Sequence, residues 1–129
     1  MEKIHDVIAL SKKNVAKCPW CKQKTAEQYV TFLKDEIAEL EEAFQNNDLK
    51  NIEEELGDVL WSALTLAYLC ERDKRIKPDV IISRVLEKFK LRKPWLLTDE
   101  TVTLDNASRI WEAAKKKEKA KRVHKTDQK

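Results

Sequence analysis

Glycine is almost absent from this chain and proline is scarce. The 129 residues include one glycine and three prolines. Tight turns and β-hairpins rely on these two residue types, so the composition leaves little material for a β-sheet protein. Hydrophobic residues make up 42% of the chain and charged residues 38%. We therefore predict an all-α fold, arranged as an antiparallel helical bundle.

Long apolar runs are also missing. No stretch approaches the roughly 18 consecutive apolar residues of a membrane span. The first residues, MEKIHDVIALSKKN, are charged throughout and lack the apolar centre of a signal peptide. We expect a cytoplasmic protein with no membrane partner.

Cysteine is sparse, with three residues in all. Cys18 and Cys21 form a C-x-x-C pair within CPWC, and Cys70 stands alone. An odd number of cysteines in an expected cytoplasmic protein argues against a disulfide framework. A structural zinc site needs four ligands, and the two histidines, His5 and His124, lie near opposite ends. Two incidental loop cysteines are the favoured interpretation, and a redox role stays open.

Charge is distributed unevenly along the chain. Residues 115–129 contain eight Lys or Arg against two acids, a balance of +6, while the whole chain carries +3. Residues 1–114 are therefore mildly acidic. We predict a helical domain over 1–114, with its core at about 16–112, and a basic tail over 115–129 that continues the last helix. The tail either contacts nucleic acid or is a solvated helix end, and we favour the second interpretation.

The hydrophobic pattern predicts five helices. Thr25 and Asp48 are the expected N-caps of the second and third helices. Pro78 opens the fourth in its first turn, and Pro94 ends it. The predicted segments are Lys3–Asn14, Ala26–Gln45, Leu49–Arg72, Pro78–Arg92 and Leu104–Lys121.

Two longer connections are predicted to be loops. The first covers residues 16–25, AKCPWCKQKT, with Pro19 as its breaker. The second covers residues 95–103, WLLTDETVT. Thr103 or Asp105 is the expected cap of the last helix.

The third predicted helix contains twelve consecutive uncharged residues, Val59–Cys70. A helix that is apolar on all sides is buried on all sides. The few helices of a small chain hardly suffice to surround it, so we predict that a second copy of the chain covers part of it. The alternative is a central helix in a monomeric bundle.

Acidic residues interrupt the apolar face of the second predicted helix. Glu36 falls inside this face and Glu39 lies one turn later on its flank. In the next helix, Glu55 and Asp58 repeat the i, i+3 spacing. The apolar face itself consists of Tyr29, Phe32, Leu33, Ile37, Leu40, Ala43 and Phe44.

A short turn joins these two helices, so they should be antiparallel and bring the four acids together. Unpaired carboxylates beside an apolar core repel each other. A hard divalent cation, Mg²⁺ or Mn²⁺, would resolve this conflict. Gly57, between Glu55 and Asp58, would allow another helix or a ligand to approach the backbone. The alternative is that both acid pairs are solvated surface.

Four motifs follow one another over about residues 16–119, namely CPWCKQKTAEQYVTFLKDEIAELEEA, EEELGDVLW, ERDKRIKPDVIISRVLEKFKLRKP and ASRIWEAAKKKEK. In this order they resemble the motifs of the MazG-type nucleoside triphosphate pyrophosphohydrolases.

This resemblance implies a fold of four-helix bundles whose core is completed or extended by dimerisation, as a homodimer or a dimer of dimers. It implies Mg²⁺-dependent hydrolysis of a (d)NTP to the (d)NMP and pyrophosphate, in nucleotide-pool housecleaning. Carried over by position, the metal ligands are Glu36, Glu39, Glu55 and Asp58. One of them, or a hydroxide held by the metal, would activate the attacking water.

The same resemblance calls for basic residues around the phosphates of the substrate. We predict Lys22 and Lys24 from the first loop, and Lys88 and Arg92 from the fourth helix, in this role. Trp20 either stacks on the base or packs in the core.

The chain departs from the family pattern in three places. Cys21 replaces the usual Asp after Cys-Pro-Trp, and Asp35 replaces a Glu. Lys93-Pro94-Trp95 replaces His-Pro-His. The first change bears on loop contacts and the third on substrate choice, whereas none affects the four predicted ligands.

Two functions of other classes remain open. A non-catalytic helical interaction module with a basic nucleic-acid-binding tail would show salt-sensitive binding and no hydrolysis. A di-iron carboxylate bundle is disfavoured because such sites use Glu-x-x-His pairs, which the acid motifs here lack.

Overall fold

The computed structural model describes the backbone of residues 2–127 and the side chains of residues 2–122. All regular elements in this range are helical, which confirms the all-α prediction. Six α-helices and one short 3₁₀ helix follow one another along the chain. They are α1 (Glu2–Lys17), α2 (Pro19–Gln23), α3 (Ala26–Gln45), α4 (Leu49–Lys74), α5 (Pro78–Arg92), the 3₁₀ helix (Pro94–Leu97) and α6 (Leu104–Asp127).

Local capping explains where α3 and α4 begin. Thr25 and Gln28 form a reciprocal capping box at the start of α3, in which each side chain accepts the backbone N–H of the other residue. Asp48 accepts the N–H of Asn51 at 3.3 Å and so caps α4. Both predicted caps are confirmed, and the bounds predicted for α3 and α5 match the structure.

The prediction of a plain loop over residues 16–25 was wrong at its start, where α1 continues to Lys17, and in its middle. Residues Pro19–Gln23 form α2, with proline at its first position. Proline is tolerated there because the first N–H groups of a helix need no intrahelical acceptor. The second predicted loop also contains helix, since Pro94 opens the 3₁₀ segment.

The last helix is capped by Thr103, whose Oγ1 accepts the N–H of Asn106 at 3.2 Å. Asp105 lies in the first turn of α6. The helix is longer than predicted and continues through most of the basic segment, to Asp127.

Helices α3 and α4 are antiparallel, as predicted. Their connection is short, and Asn47 adopts a left-handed conformation with φ 50°, which asparagine tolerates. At the far end of the pair, Asp73 Oδ2 accepts the N–H of Ala26 at 2.8 Å. The end of α4 is thereby fixed to the start of α3.

The described chain divides into two compact units, the first ending at Pro78 and the second beginning at Asp79. In the first unit, α3 packs along α4, and α1 packs against α4 and α2. Its buried apolar core consists of Val15, Ala26, Tyr29 and Leu69. In the second unit, an Arg92–Glu118 ion pair joins α5 to α6.

Much of the predicted apolar face of α3 stays open in the single chain. Tyr29 and Ala43 are buried, but Phe32 is 50% exposed, Ile37 42% and Phe44 58%. The apolar stretch of α4 likewise has one buried side, formed by Ser62, Thr65 and Leu69, while Leu60 is 46% exposed. One chain therefore does not bury α4 on every side.

None of the helices within residues 2–127 combines the length and the apolar character that a bilayer span needs.

Candidate functional site

Three carboxylates converge where α3 faces α4. Glu36 and Glu39 come from successive turns of α3, and Glu55 comes from α4. Each contributes an oxygen, and these oxygens all lie within 4.8 Å of one another. The i, i+3 spacing places the two α3 side chains on one side of the helix, and the antiparallel pairing brings α4 opposite.

Two of these carboxylates are incompletely solvated. Glu36 Oε2 and Glu55 Oε2 are buried and have no hydrogen-bond partner within the described part of the chain. Burial raises the pKa of Glu36, and the charges of Glu39 and Asp58 raise it further. Burial also raises the pKa of Glu55, and the neighbouring Glu39 carboxylate acts in the same direction. The unfavourable environment of these carboxylates is the kind that a bound cation relieves.

Asp58 lies beside the group of three rather than within it. Its negative charge contributes to the raised pKa of both Glu36 and Glu55. It also lines an adjoining cavity together with Glu36. The structure thus brings three of the four predicted ligands within reach of one ion and places the fourth nearby.

The cavity next to the acids has a volume of about 610 Å³, within the usual range for small-molecule sites. Its apolar lining is aromatic and consists of Trp20, Tyr29, Phe32 and Trp61. Trp20 is 77% exposed, so core packing does not account for it. A flat ligand such as a base could stack on such rings.

Of the basic residues predicted to contact phosphates, Lys24 lines this cavity. Lys22 instead lines a separate cavity of about 470 Å³, next to Lys12 and Arg72. Lys22 and Lys24 thus line two different cavities.

Lys88 and Arg92 belong to the second unit. The guanidinium of Arg92 forms two hydrogen bonds with the Glu118 carboxylate, at 3.1 and 2.5 Å. It also lies 4.9 Å from the centre of the Trp111 ring, a cation–π contact. The Lys88 ammonium lies 6.0 Å from the Phe89 ring centre. Phosphate contacts for these two residues stay predictions, and for Arg92 they would compete with Glu118.

The segment that carries Trp20 and Lys24 is held by the end of α4. Arg72 donates hydrogen bonds to the backbone oxygens of Cys21, at 2.8 Å, and Lys24, at 2.5 Å. It also pairs with Asp73, whose hydrogen bonds and charge raise the pKa of Arg72. The sequence predicted Arg72 only as the end of a helix.

Sequence reasoning also missed polar members of the cavity wall, namely Asn14 and Gln28, and the aromatic Trp61. One signal for Trp61 was available, since it follows Asp58 by three residues and so shares its side of α4. Asn14 gave no such signal. Its amide reaches Thr65 at 3.4 Å across 51 residues of sequence.

Gly57 does not provide for a close helix–helix approach within the chain. Among the described residues, a Cβ at this position would have no heavy atom within 4 Å beyond its own helix and chain neighbours. Its backbone is not in the left-handed region. No described helix of this chain makes the predicted close approach at Gly57, and the approach of a ligand there stays a prediction.

The fold and the site together define an all-helical protein with a candidate carboxylate metal site beside an aromatic cavity. Residues 24–97, more than half of the chain, match the family model of the MazG nucleotide pyrophosphohydrolase domain. The chain therefore belongs to the MazG family.

Two curated relatives share most of this chain. A nucleoside triphosphate pyrophosphohydrolase of Mycobacterium tuberculosis is 31% identical over 94% of this chain and 38% of its own length. A protein of the same name from Escherichia coli K12 is 26% identical over 82% of this chain and 41% of its own length. The chain spans about two fifths of the length of these relatives.

A solved structure has the same fold. The crystal structure of a MazG-related protein from Thermotoga maritima superposes with a TM-score of 0.82 and 38% identity. The match covers 87% of this chain and 98% of that chain.

Proposed function

We propose that this protein is a Mg²⁺-dependent nucleoside triphosphate pyrophosphohydrolase, which converts a (d)NTP and water to the (d)NMP and pyrophosphate. The observation that carries the proposal is the convergence of Glu36, Glu39 and Glu55, with two buried carboxylate oxygens that lack hydrogen-bond partners among the described residues. The names of the relatives from M. tuberculosis and E. coli support the same reaction. A role in nucleotide-pool housecleaning follows from it.

The residues present fit a hard cation. Every proposed ligand is a carboxylate, which suits Mg²⁺ and also Mn²⁺ and does not suit soft metals. Glu36, Glu39 and Glu55 would hold the ion, with Asp58 at the side that faces the cavity. A bound magnesium ion would neutralise negative charge on the polyphosphate.

Side chains of the protein would position the substrate and accept the proton of the attacking water. Glu36 is the one of the three converging carboxylates that also lines the cavity, so it is placed to accept a proton from the attacking water. Trp20 would stack on the base, since it is exposed at the cavity wall. Lys24 would donate to a phosphate oxygen, and Lys22, Lys88 and Arg92 stay predicted phosphate contacts.

We further propose that the protein works in the cytoplasm as a homodimer or a dimer of dimers. Support comes from the large apolar side chains that one chain leaves exposed on neighbouring helices, including Phe32 and Phe44 on α3 and Leu56 and Leu60 on α4. Such a surface is typical of an interface. Residues 1–114 would form the catalytic domain, with 115–129 as a basic extension of α6.

The reaction is tested by incubating the protein with a panel of ribo- and deoxyribonucleoside triphosphates and MgCl₂, followed by chromatography of the products. Monophosphate with pyrophosphate is expected, and chelation by EDTA should abolish its formation. Release of the diphosphate with orthophosphate would contradict the proposal. Absence of hydrolysis, with salt-sensitive binding to nucleic acid, would favour the interaction module instead.

Two variants test whether turnover depends on the acids of the proposed site or on any acid of α4. Asp58→Asn should abolish turnover because it removes a charge beside the proposed ion. Glu53→Gln, on the same helix at an exposed position, is the matched control and should leave turnover unchanged. Circular dichroism should show the same helical content in both variants.

A further inference from the structure

A pair of thiols lies within one helical turn at the wall of the cavity. Cys18 is the N-cap of α2 and Cys21 is its third residue. Side chains at these two positions of a helix face each other, as they do in a capping box. Each thiol affects the pKa of the other, as expected of neighbouring groups. Both are free thiols that line the cavity.

The two thiols have different surroundings, which gives them different roles in an exchange reaction. The backbone N–H of Cys21 lowers the pKa of the Cys18 thiol, burial opposes this, and the N–H of Trp20 lowers it again. Burial raises the pKa of the Cys21 thiol, as does the charge of Cys18. The more accessible thiol with the lower pKa is the attacking group in thiol–disulfide exchange.

The backbone around the pair is held in place. Lys22 N–H donates to Cys18 O at 3.1 Å, and Lys24 N–H donates to Cys21 O at 3.3 Å. Arg72 donates to Cys21 O as well, at 2.8 Å. Residues three apart in a helical turn have Cα atoms roughly 5 Å apart, inside the range of about 4.4–6.8 Å that disulfides span. Closure of a disulfide therefore needs only a rotation of side chains.

We propose that Cys18 and Cys21 form a redox-active dithiol, which closes reversibly to an intrachain disulfide by exchange with a small-molecule disulfide. The Cys18 thiolate attacks one sulfur of that disulfide and releases one thiolate. The Cys21 thiolate then attacks the Cys18 sulfur and releases the second. The protein loses two electrons and two protons, and the small disulfide is reduced to two thiols. This proposal does not depend on the hydrolytic function.

The test counts thiols in the full chain. The reduced protein is incubated under native conditions with oxidised glutathione, then denatured, alkylated with iodoacetamide and weighed intact. The number of alkylated thiols should fall from three to one, and peptide mapping should link Cys18 to Cys21. Dithiothreitol should restore all three.

Three variants assign the steps. Cys70→Ser is the control and should still close the pair, because Cys70 takes no part. Cys21→Ala should stop at a mixed disulfide with one glutathione on Cys18. Cys18→Ser keeps a residue that helices favour as N-cap and should leave Cys21 free, because Cys21 is buried.

Three results for the unmodified protein would overturn the proposal. In the first, all three thiols would still be alkylated after incubation with oxidised glutathione. Glutathione could remain on Cys18 while Cys21 stays free. The linked peptide could contain Cys70.

Discussion

Glu36 on α3 and Glu55 on α4 face each other across the helix pair, and each has a buried carboxylate oxygen without a hydrogen-bond partner among the described residues. Glu39 lies within reach of both. The pair of helices thus holds carboxylates that repel one another at a fixed place. A cation bound between them would attract each carboxylate.

The first prediction concerns the charge of Glu36. Glu36→Gln should raise the melting temperature of the protein in EDTA, because it removes one of several clustered negative charges. It should also abolish any stabilisation by MgCl₂ and lower nucleotide turnover by about 100-fold or more. Thermal melts with EDTA and with MgCl₂, together with initial rates, measure all three effects. Glu53→Gln is the control, and Mg²⁺ stabilisation that survives in Glu36→Gln would contradict the metal site.

The second prediction concerns pH. The pKa values of Glu36 and Glu55 are raised in the folded protein, so the folded state binds more protons than the unfolded state between the ordinary and the raised values. Without Mg²⁺, stability from these groups should fall as pH rises through the raised pKa values. With Mg²⁺, stabilisation should grow over the same interval, because the ion and protons compete for the same oxygens.

Melting temperatures measured from about pH 4 to 8, with and without MgCl₂, check this prediction. The two curves should diverge as the pH rises. The divergence should shrink in Glu36→Gln, and parallel curves for the unmodified protein would contradict the assignment of these carboxylates as ligands.

The third prediction concerns the ion pair in the second unit. Arg92 is 9% exposed, and Glu118 holds it by two hydrogen bonds. Arg92→Met and Glu118→Gln should each lower the melting temperature by roughly 5 °C. The melting temperature of the double variant should fall by much less than the sum of the two single decreases, because the two residues act as one pair.

Kinetics of the same variants separate the structural role of Arg92 from phosphate binding. A structural role alone predicts that both single variants change KM alike. If Arg92 also binds phosphate, Arg92→Met should raise KM well above the KM of Glu118→Gln.

The same ion pair also makes stability depend on pH. Glu118 accepts hydrogen bonds from Arg92, and these lower the pKa of Glu118. The stability that the pair adds should therefore be lost as pH falls through that lowered pKa.

The fourth prediction concerns Gly57. A Cβ has open space there, and glycine is a weak helix former. Gly57→Ala should therefore raise the free energy of unfolding by about 0.5–1 kcal/mol, as measured by urea denaturation. Ala63→Gly, at another exposed position of α4, should lower it by a similar amount. A destabilised Gly57→Ala variant would mean that another molecule approaches the helix at this point.

Local signals in the sequence were sufficient for most of the helices. The Thr25 cap and the bounds of α3 depend on residues within one turn of each other, so a linear pattern contains them. The i, i+3 spacing of Glu36 and Glu39, and the short turn before α4, likewise predicted convergence with Glu55. Pro19 led to the wrong prediction of a loop, because proline both ends helices and begins them. Which of the two occurs depends on the residues that follow.

The sequence by itself determined an all-helical chain and the meeting of its acids, because helix propensity, capping and side-chain periodicity act over a few residues. Only the tertiary structure decided that a cavity forms, that Trp20 lies at its wall, and that Arg72 donates a hydrogen bond to the backbone oxygen of Cys21. Those contacts join residues about fifty positions apart, and they form only after α1, α3 and α4 pack. No local pattern records a contact of that range, since its energy comes from burial and geometry that the folded chain creates.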